Sequence, residues 1–234
     1  MSAVAMRISD IYYSIQGEGK LVGVPSAFVR TSGCNLHCTW CDTPYASWAP
    51  EGKDYEIDAV LEKLADFPTR HVVVTGGEPI IANGIEELTA ALRRRGYHIT
   101  IETAATVYKD VVYDLASLSP KLQNSTPWSV EQGRFADAHE ENRINVDVIR
   151  RFIAAAPDFQ LKIVVDEPSD LAEIDLLLNR IGDVKPENVL LMPQGVSEEE
   201  FQPKRRWLGE MCKQRGFRYC PRLHILLYGN ARGT

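Results

Sequence analysis

Hydrophobic residues along the chain fall into two alternating rhythms. Short β-branched or apolar runs occur at SAFVRTSG (26–33), HVVVTGGEP (71–79), YHITIETAA (97–105), YDLASLSPK (113–121), FQLKIVVD (159–166) and NVLLMPQG (188–195), and each predicts a strand. Between them, apolar residues at every third or fourth position predict helices. The first spans 55–67 on Ile57, Val60, Leu61 and Leu64, and others follow at 84–96, 145–156, 169–182 and 197–216. Ser169 is placed as an N-cap, basic residues and Gly96 close the second helix, and Pro203 either bends the last helix or marks its start. The tail YCPRLHILLYGN (219–230) is read as a closing strand, and the residues before 26 as an irregular start rich in Gly and Tyr. The polar stretch 123–143 has no period and reads as an insertion or long loop.

Strands that are apolar throughout are covered on both faces, which is the mark of a parallel α/β sheet. Six or seven strands fall short of the eight that close a barrel. The expected fold is therefore an open, partial TIM-like barrel of about six parallel strands with flanking helices. No repeat or linker divides residues 1–234, which read as one domain. Ligands of such sheets gather beyond the carboxyl ends of the strands. The unusual residues fall there: the loop after 26–33, then TGGEP, ETAA, SPK and MPQG.

Composition narrows the class. A hydrophobic fraction of 44% and a charged fraction of 25% suit a soluble globular protein. A net charge of −6 argues against a general nucleic-acid binder. No apolar run approaches the roughly 20 residues that span a bilayer, and MSAVAMRISD carries no export signal. Five cysteines, three of them clustered, fit thiolates in a reducing, cytoplasmic setting better than a disulfide framework.

The clustered three are Cys34, Cys38 and Cys41, spaced C-x3-C-x2-C. Sulfur-rich metal sites usually carry four ligands, and no fourth cysteine lies nearby. One reading is zinc with His37 as fourth ligand, an awkward geometry because His37 lies between two cysteines four residues apart. The other is a four-iron cluster with three thiolate-bound irons and one iron open to substrate. Cys212 and Cys220 read as core or helix residues.

The loop, with Trp40 just before its last cysteine, resembles the radical S-adenosylmethionine superfamily, and TGGEP (75–79) is similar to that superfamily's glycine-rich motif. The flanking sequence YYSIQGEGKLVGVPSAFVRTSGCNLHCTWCDTPYA (12–46) resembles more narrowly the 7-carboxy-7-deazaguanine synthases, and the later motifs and the PRLHILLYGN tail extend the match. The resemblance implies a lyase of 7-deazapurine (queuosine-type) biosynthesis. It would convert 6-carboxy-5,6,7,8-tetrahydropterin to 7-carboxy-7-deazaguanine by ring contraction and loss of ammonia. It also implies a [4Fe-4S] cluster, S-adenosylmethionine, Mg²⁺, an electron donor such as flavodoxin or ferredoxin, and a homodimer. In that scheme the open iron holds the amino and carboxylate groups of S-adenosylmethionine, whose one-electron cleavage gives a deoxyadenosyl radical that takes the pterin's C6 hydrogen.

The resemblance also distributes roles. Cys34, Cys38 and Cys41 hold the cluster. Trp40, Cys41, Asp42, Gly77 and Glu78 surround the methionine part of S-adenosylmethionine. Ser119, Pro120 and Lys121, with Met192, Pro193, Gln194 and Gly195, line its nucleoside. The pterin is assigned to Ile15, Gln16, Gly17, Glu18, Arg30, Thr75, His224 and Thr234, and Mg²⁺ to Thr43. Glu102 and Thr103 are weaker candidates for the ribose or amino acid. The chemistry suits these assignments: Gln16 and Glu18 offer an amide and a carboxylate to a heterocycle edge, Gly17 and Gly19 permit close backbone approach, and Arg30 suits bidentate carboxylate capture. Blander roles compete, with Glu18 capping a turn, Arg30 pairing a surface acid, Thr43 capping the next turn and His224 filling a core strand. At the level of function the rivals are a glycyl-radical-enzyme activase, which needs no pterin pocket, and a zinc-binding interaction module.

Overall fold

Ala5–Ile15, expected to be irregular, forms an eleven-residue strand, β1. Its burial alternates at the start, with Met6 and Ile8 buried between exposed neighbours. Such a period marks an antiparallel strand with one solvated face. The computed structural model describes residues 5–234. The opening stretch read for an export signal thus lies partly outside the described residues, and its remainder is the head of β1.

Strand β2 (Pro25–Thr31) and the short polar edge strand β3 (Lys53–Glu56) both run antiparallel to β1. Helix α1 (Ile57–Ala65), β4 (His71–Gly76), α2 (Ile85–Arg94), β5 (His98–Thr103) and β6 (Leu115–Leu118) follow. Two helices, α3 (Ala136–Asn142) and α4 (Val146–Ala155), precede β7 (Asp158–Val165). The chain closes with α5 (Asp170–Ile181), β8 (Val189–Pro193), α6 (Glu198–Arg215), β9 (Arg218–Tyr219) and α7 (Leu223–Tyr228). The strands form one nine-stranded sheet in the order β3-β1-β2-β4-β5-β6-β7-β8-β9. From β2 to β9 every pairing is parallel, and β3 and β9 stand at opposite ends of the order, so the sheet is open.

The two faces of the parallel strands differ. Ala27, Val29, Val72, Val74, Ile99, Ile101, Ala116, Leu118, Leu161, Ile163, Val165, Val189 and Leu191 alternate onto one face and build the core under the helices. The residues between them point the other way: Phe28, Arg30, Thr75, Glu102, Ser117, Gln160, Lys162 and Met192. The expectation of strands apolar on both faces thus holds for the helix-covered side. The inner face is partly polar and charged, and that asymmetry places a site.

Local chemistry explains the element ends. Asn145 Oδ1 accepts from Val148 N–H at 3.2 Å, and Ser197 accepts from Glu200 N–H, so α4 and α6 are capped at their first turns. Helix α6 runs through Pro203, having begun at Glu198. Ser169 makes no capping bond; Asp170 Oδ2 instead accepts from the N–H groups of Asp166 (2.7 Å) and Glu167 (3.1 Å). Of the expected closing strand 219–230, only Tyr219 lies in β9, and Leu223–Tyr228 form α7 instead. Helical spacing in LHILLY was masked there by length, since six residues support either reading. The segment 123–143, expected to be an insertion or loop, holds α3 and two short 3₁₀ turns.

Phe152 of α4 is fully buried against Tyr108 and Tyr113, at ring-centroid distances of 4.8 and 6.1 Å. Phe152→Ala should lower unfolding free energy by about 3–5 kcal/mol. Denaturant titration should show the midpoint falling, and an unchanged midpoint would mean that this helix does not secure the sheet.

Candidate active site

One cavity of about 600 Å³ opens at the carboxyl ends of the parallel strands. The sheet delivers its lining: Arg30 from the end of β2, Thr75 and Gly77 from β4 and its turn, Glu102 and Thr103 from β5, Lys162 from β7 and Met192 from β8. The cysteine loop supplies Cys34, Cys38, Trp40, Cys41, Asp42 and Thr43, and the β1–β2 loop supplies Ile15, Gln16, Gly17 and Glu18. Ser119, Lys121, Gln194, Gly195, His224 and Thr234 complete the wall among the residues expected from sequence.

Three expected residues stand behind this wall. Pro120 and Pro193 do not reach the cavity, and Glu78 is fully buried. Its carboxylate accepts from Thr103 Oγ1 (2.7 Å), Ala104 N–H (2.8 Å) and Ile80 N–H (3.0 Å). Glu78 therefore braces the turn, because its side chain is consumed by the β5 end. Gly19, too, lies off the wall. A Cβ there would fall 2.3 Å from Gln160 Nε2, and one on Gly17 would fall 1.9 Å from His224 Nδ1. Both glycines admit close approach to other parts of the protein. His224 sits on α7, not on a strand.

Charge organises the floor. Glu18 Oε2 accepts from Lys162 Nζ, and Glu18 Oε1 accepts from Arg222 Nε at 3.0 Å. Burial pushes the Glu18 carboxyl up, but the two cations outweigh it and hold the acid well below the usual carboxylate range. Arg222 also donates to Asp42 Oδ2 and to the Gly195 carbonyl. Glu102 accepts from Gln16 Nε2 (3.2 Å) and Thr75 Oγ1 (3.1 Å), with Lys162 Nζ 3.6 Å away. Glu18 therefore does not cap a turn; it is half of an ion network.

Arg30 donates to Tyr12 Oη at 2.8 Å, while its buried Nε, 4.0 Å from Asp10 Oδ2, has no hydrogen-bond partner among the described residues. A guanidinium N–H buried without an acceptor suits an incoming anion. Thr43 heads the 3₁₀ turn 44–46, yet its hydroxyl makes no capping bond. Tail residues 230–234 also line the cavity, with Arg232 donating to Asp10 (2.9 Å) and Glu51 (2.8 Å) and stacking 4.1 Å over the Tyr45 ring.

Among the described residues, no three His, Cys, Asp or Glu side chains converge on one metal ion. The three thiols instead share the cavity wall. Three thiols on one wall fit a cubane, in which each thiolate binds a different iron. Burial pushes the Cys34 and Cys38 thiols up to about 12, so thiolates there call for a compensating cationic group. Leu36 N–H points at Cys34 Sγ (3.3 Å) and Ser47 Oγ lies 3.1 Å from Cys41 Sγ, polar contacts of the kind that tune sulfur ligands. Cys212 lies in the outer core, and Cys220 in a small inner cluster with Val164, Leu190 and Met192.

A model of the Radical SAM superfamily matches residues 28–122. The 7-carboxy-7-deazaguanine synthase of Rhodopirellula baltica is 46% identical over 233 residues, covering 100% of this chain and 90% of the relative. The chain belongs to that family. The Halobacterium salinarum 7-carboxy-7-deazaguanine synthase is 41% identical, covering 98% of this chain and 93% of its own. The crystal structure of QueE from Escherichia coli superposes with a TM-score of 0.71 at 25% identity, covering 92% and 93% of the two chains. Streptococcus suis SuiB, at 14% identity and a TM-score of 0.52, shares the fold over 80% of this chain and 47% of its own.

For this member of the 7-carboxy-7-deazaguanine synthase family, sequence reading missed Lys162, Arg222 and the role of 123–143. A lysine inside the apolar run FQLKIVV was an available signal. Arg222 lay within the PRLHILLYGN tail, but its role was hidden because its partners are 27 to 204 residues away. The 123–143 segment is a platform beneath the cysteine loop. Thr39 N–H donates to the Ser125 carbonyl (2.8 Å), Trp40 Nε1–H to the Asn124 carbonyl (3.0 Å), and His37 N–H to His139 Nδ1 (3.2 Å). His139 Nε2 meets Ser125 Oγ at 2.9 Å, and the His37 ring stacks on Phe135.

Accepting at Nδ1 requires a neutral imidazole, and burial pushes His139 down to about 4. The unfolded chain then binds a proton at higher pH than the folded one. The stability held by this ring is complete above about pH 6.5 and is lost as pH falls toward 4. Thermal midpoints of the wild type should fall through that window more steeply than those of His139→Gln. Parallel curves would rule out the neutral ring as the platform's acid-sensitive joint.

Proposed function

We propose that this chain is a 7-carboxy-7-deazaguanine synthase acting on 6-carboxy-5,6,7,8-tetrahydropterin, with ring contraction and loss of ammonia. The observation that carries the reading is that the cysteine loop, the TGG turn and the QGE loop, far apart in sequence, face one another across a single cavity. The family relationship supports the same activity.

Cys34, Cys38 and Cys41 would hold a [4Fe-4S] cluster, and Trp40, Asp42, Gly77, Ser119, Lys121, Met192, Gln194 and Gly195 would frame S-adenosylmethionine. When bound, the two supply one-electron C–S cleavage and a radical able to take hydrogen from the pterin. The chain's own residues then orient and shield. Arg30 holds the pterin carboxylate through N–H groups left partly free by Tyr12. Gln16, Glu18 and Thr75 present acceptors and donors to the ring edge, and their own bonds to Glu102, Lys162 and Arg222 keep them from rotating away. Gly17 holds His224 against the pocket, and the 230–234 tail, with Thr234, covers its mouth and limits water. Thr43, with its hydroxyl uncommitted to a cap, offers Mg²⁺ one oxygen beside those of the substrate and water. An electron donor of flavodoxin or ferredoxin type, a homodimer and a cytoplasmic setting belong to the same reading, as does one domain over 1–234. The exposed Leu226, Leu227 and Tyr228 of α7 are compatible with self-association.

Anaerobic incubation with 6-carboxytetrahydropterin, S-adenosylmethionine and a reductant should yield a product with the mass of 7-carboxy-7-deazaguanine. No such product from protein holding about four irons per chain would overturn the reading. Cys38→Ala should lose both the cluster and S-adenosylmethionine cleavage. Arg30→Ala should keep the cluster and lower pterin turnover by about 10²-fold or more, the effect of an unpaired buried carboxylate. Turnover at wild-type rates would move the substrate carboxylate elsewhere. Thr43→Ala should blunt the activation by Mg²⁺, and an unchanged Mg²⁺ titration would remove Thr43 from the metal site.

A further inference from the structure

Arg222 stands in the PRLHILLYGN tail with no role assigned to it, yet it touches three of the loops that meet at the cavity. It is 8% exposed. Nε donates to Glu18 Oε1 at 3.0 Å, one terminal nitrogen to Asp42 Oδ2 and the other to the Gly195 carbonyl. On the reading above, Glu18 lies in the pterin loop, Asp42 follows the last cluster cysteine, and Gly195 lies in the turn after β8 that frames the nucleoside. We infer that Arg222 is a positioning residue that mechanically joins the pterin loop to the cluster loop, so that filling one subsite tightens the other.

Three features of the geometry support a joint over a simple buried ion pair. A guanidinium is planar and rigid, so its donors move as one body, and a shift in any acceptor tilts the fork against the other two. The backbone around Arg222 is itself fixed to the pterin loop: Leu223 N–H donates to the Gly17 carbonyl at 2.9 Å, and Gly17 leaves no room for a Cβ beside His224. The arm that crosses the cavity wall to Asp42 thus starts from a base carried by residues 16–18. The third feature is asymmetry. Glu18 keeps Lys162 on its other oxygen, whereas Asp42 has no second ion pair among the described residues. Burial opposes the charge of Arg222, but the two carboxylates more than offset it and keep the group cationic.

Loss of the fork should therefore loosen the cluster loop more than the pterin loop. A lysine, with one compact head, reaches some of the acceptors but not all three at once.

This inference rests on the pterin assignment, and the test separates the two. Amide hydrogen exchange on the cluster-loaded full chain without pterin compares wild type, Arg222→Gln and Arg222→Lys. In Arg222→Gln, protection over residues 34–47 should fall about tenfold or more, and over 16–24 by a smaller factor, while β4 and β5 keep theirs. Unchanged loops, or equal loss throughout the sheet, would overturn the joint, the latter by showing a merely stabilising residue. In a second arm, the Kd for 6-carboxytetrahydropterin is measured with and without S-adenosylmethionine. Wild type should bind about tenfold tighter with it, Arg222→Lys should keep part of that gain, and Arg222→Gln none. The full gain surviving in Arg222→Gln would refute the coupling. Wild-type protein that binds no pterin would instead refute the proposed function, leaving the exchange arm to judge the joint alone.

Discussion

Balance among buried charges is the constraint on which the rest of this structure depends. Glu18, Asp42 and Glu102 are paired with Lys162 and Arg222 around one cavity, whose wall also carries Arg30, Lys121 and Arg232. A pair of unit charges 4 Å apart interacts by about 4 kcal/mol at the effective dielectric of such sites, and breaking one buried pair costs about 3–5 kcal/mol. Each residue is therefore held by its partners, and none can be lost without leaving a charge stranded. The result is a polar wall with fixed directions, ready for a ligand that brings its own carboxylate and a heterocycle edge.

That wall sits inside an α/β sheet because the pleat separates two tasks. Residues at one parity pack under the helices and hold the fold, whereas their neighbours face inward and carry function. Helices α1, α2, α4, α5 and α6 pack on the other face, and the β1–β2 loop covers part of the inner one. Gly19 presses against Gln160, Lys20 N–H donates to Gln160 Oε1 at 2.7 Å, and Gln160 Nε2 donates to Ser117 Oγ at 2.7 Å. Cys220 Sγ accepts from Gly19 N–H at 3.1 Å. The loop that presents Gln16 and Glu18 is thus seated on the lower strands before any ligand arrives, which lowers the entropy lost on binding.

The legible parts of the fold were those with strong local rhythm. Val72, Val74, Ile99 and Ile101 announced buried parallel strands, and Ile57, Val60, Leu61 and Leu64 announced α1. β1 was hidden because a solvated antiparallel strand mixes Arg7, Ser9 and Asp10 among its apolar residues, and α7 because six residues cannot show a period. The site was legible where chemistry is spaced along the chain: three cysteines in eight residues, a double glycine after a strand, Gln16 and Glu18 two positions apart. It was illegible in the bracing bonds that the Glu78 carboxylate makes to the end of β5, and at the platform 123–143. Its bonds to the cysteine loop run through carbonyls and one imidazole that no composition reveals.

From its residues alone, then, this chain determined the alternation of its central parallel strands with α1, α2, α4, α5 and α6, the family it belongs to and the loop that would carry a metal cluster. Those properties depend on neighbours within a few positions, where sterics and periodicity act directly. Folding in three dimensions decided which charges meet. Arg222 reaches Glu18 across 204 residues and Asp42 across 180, and Lys162 reaches Glu18 across 144. Such encounters are set by strand order and register, so they exist only once the sheet has assembled.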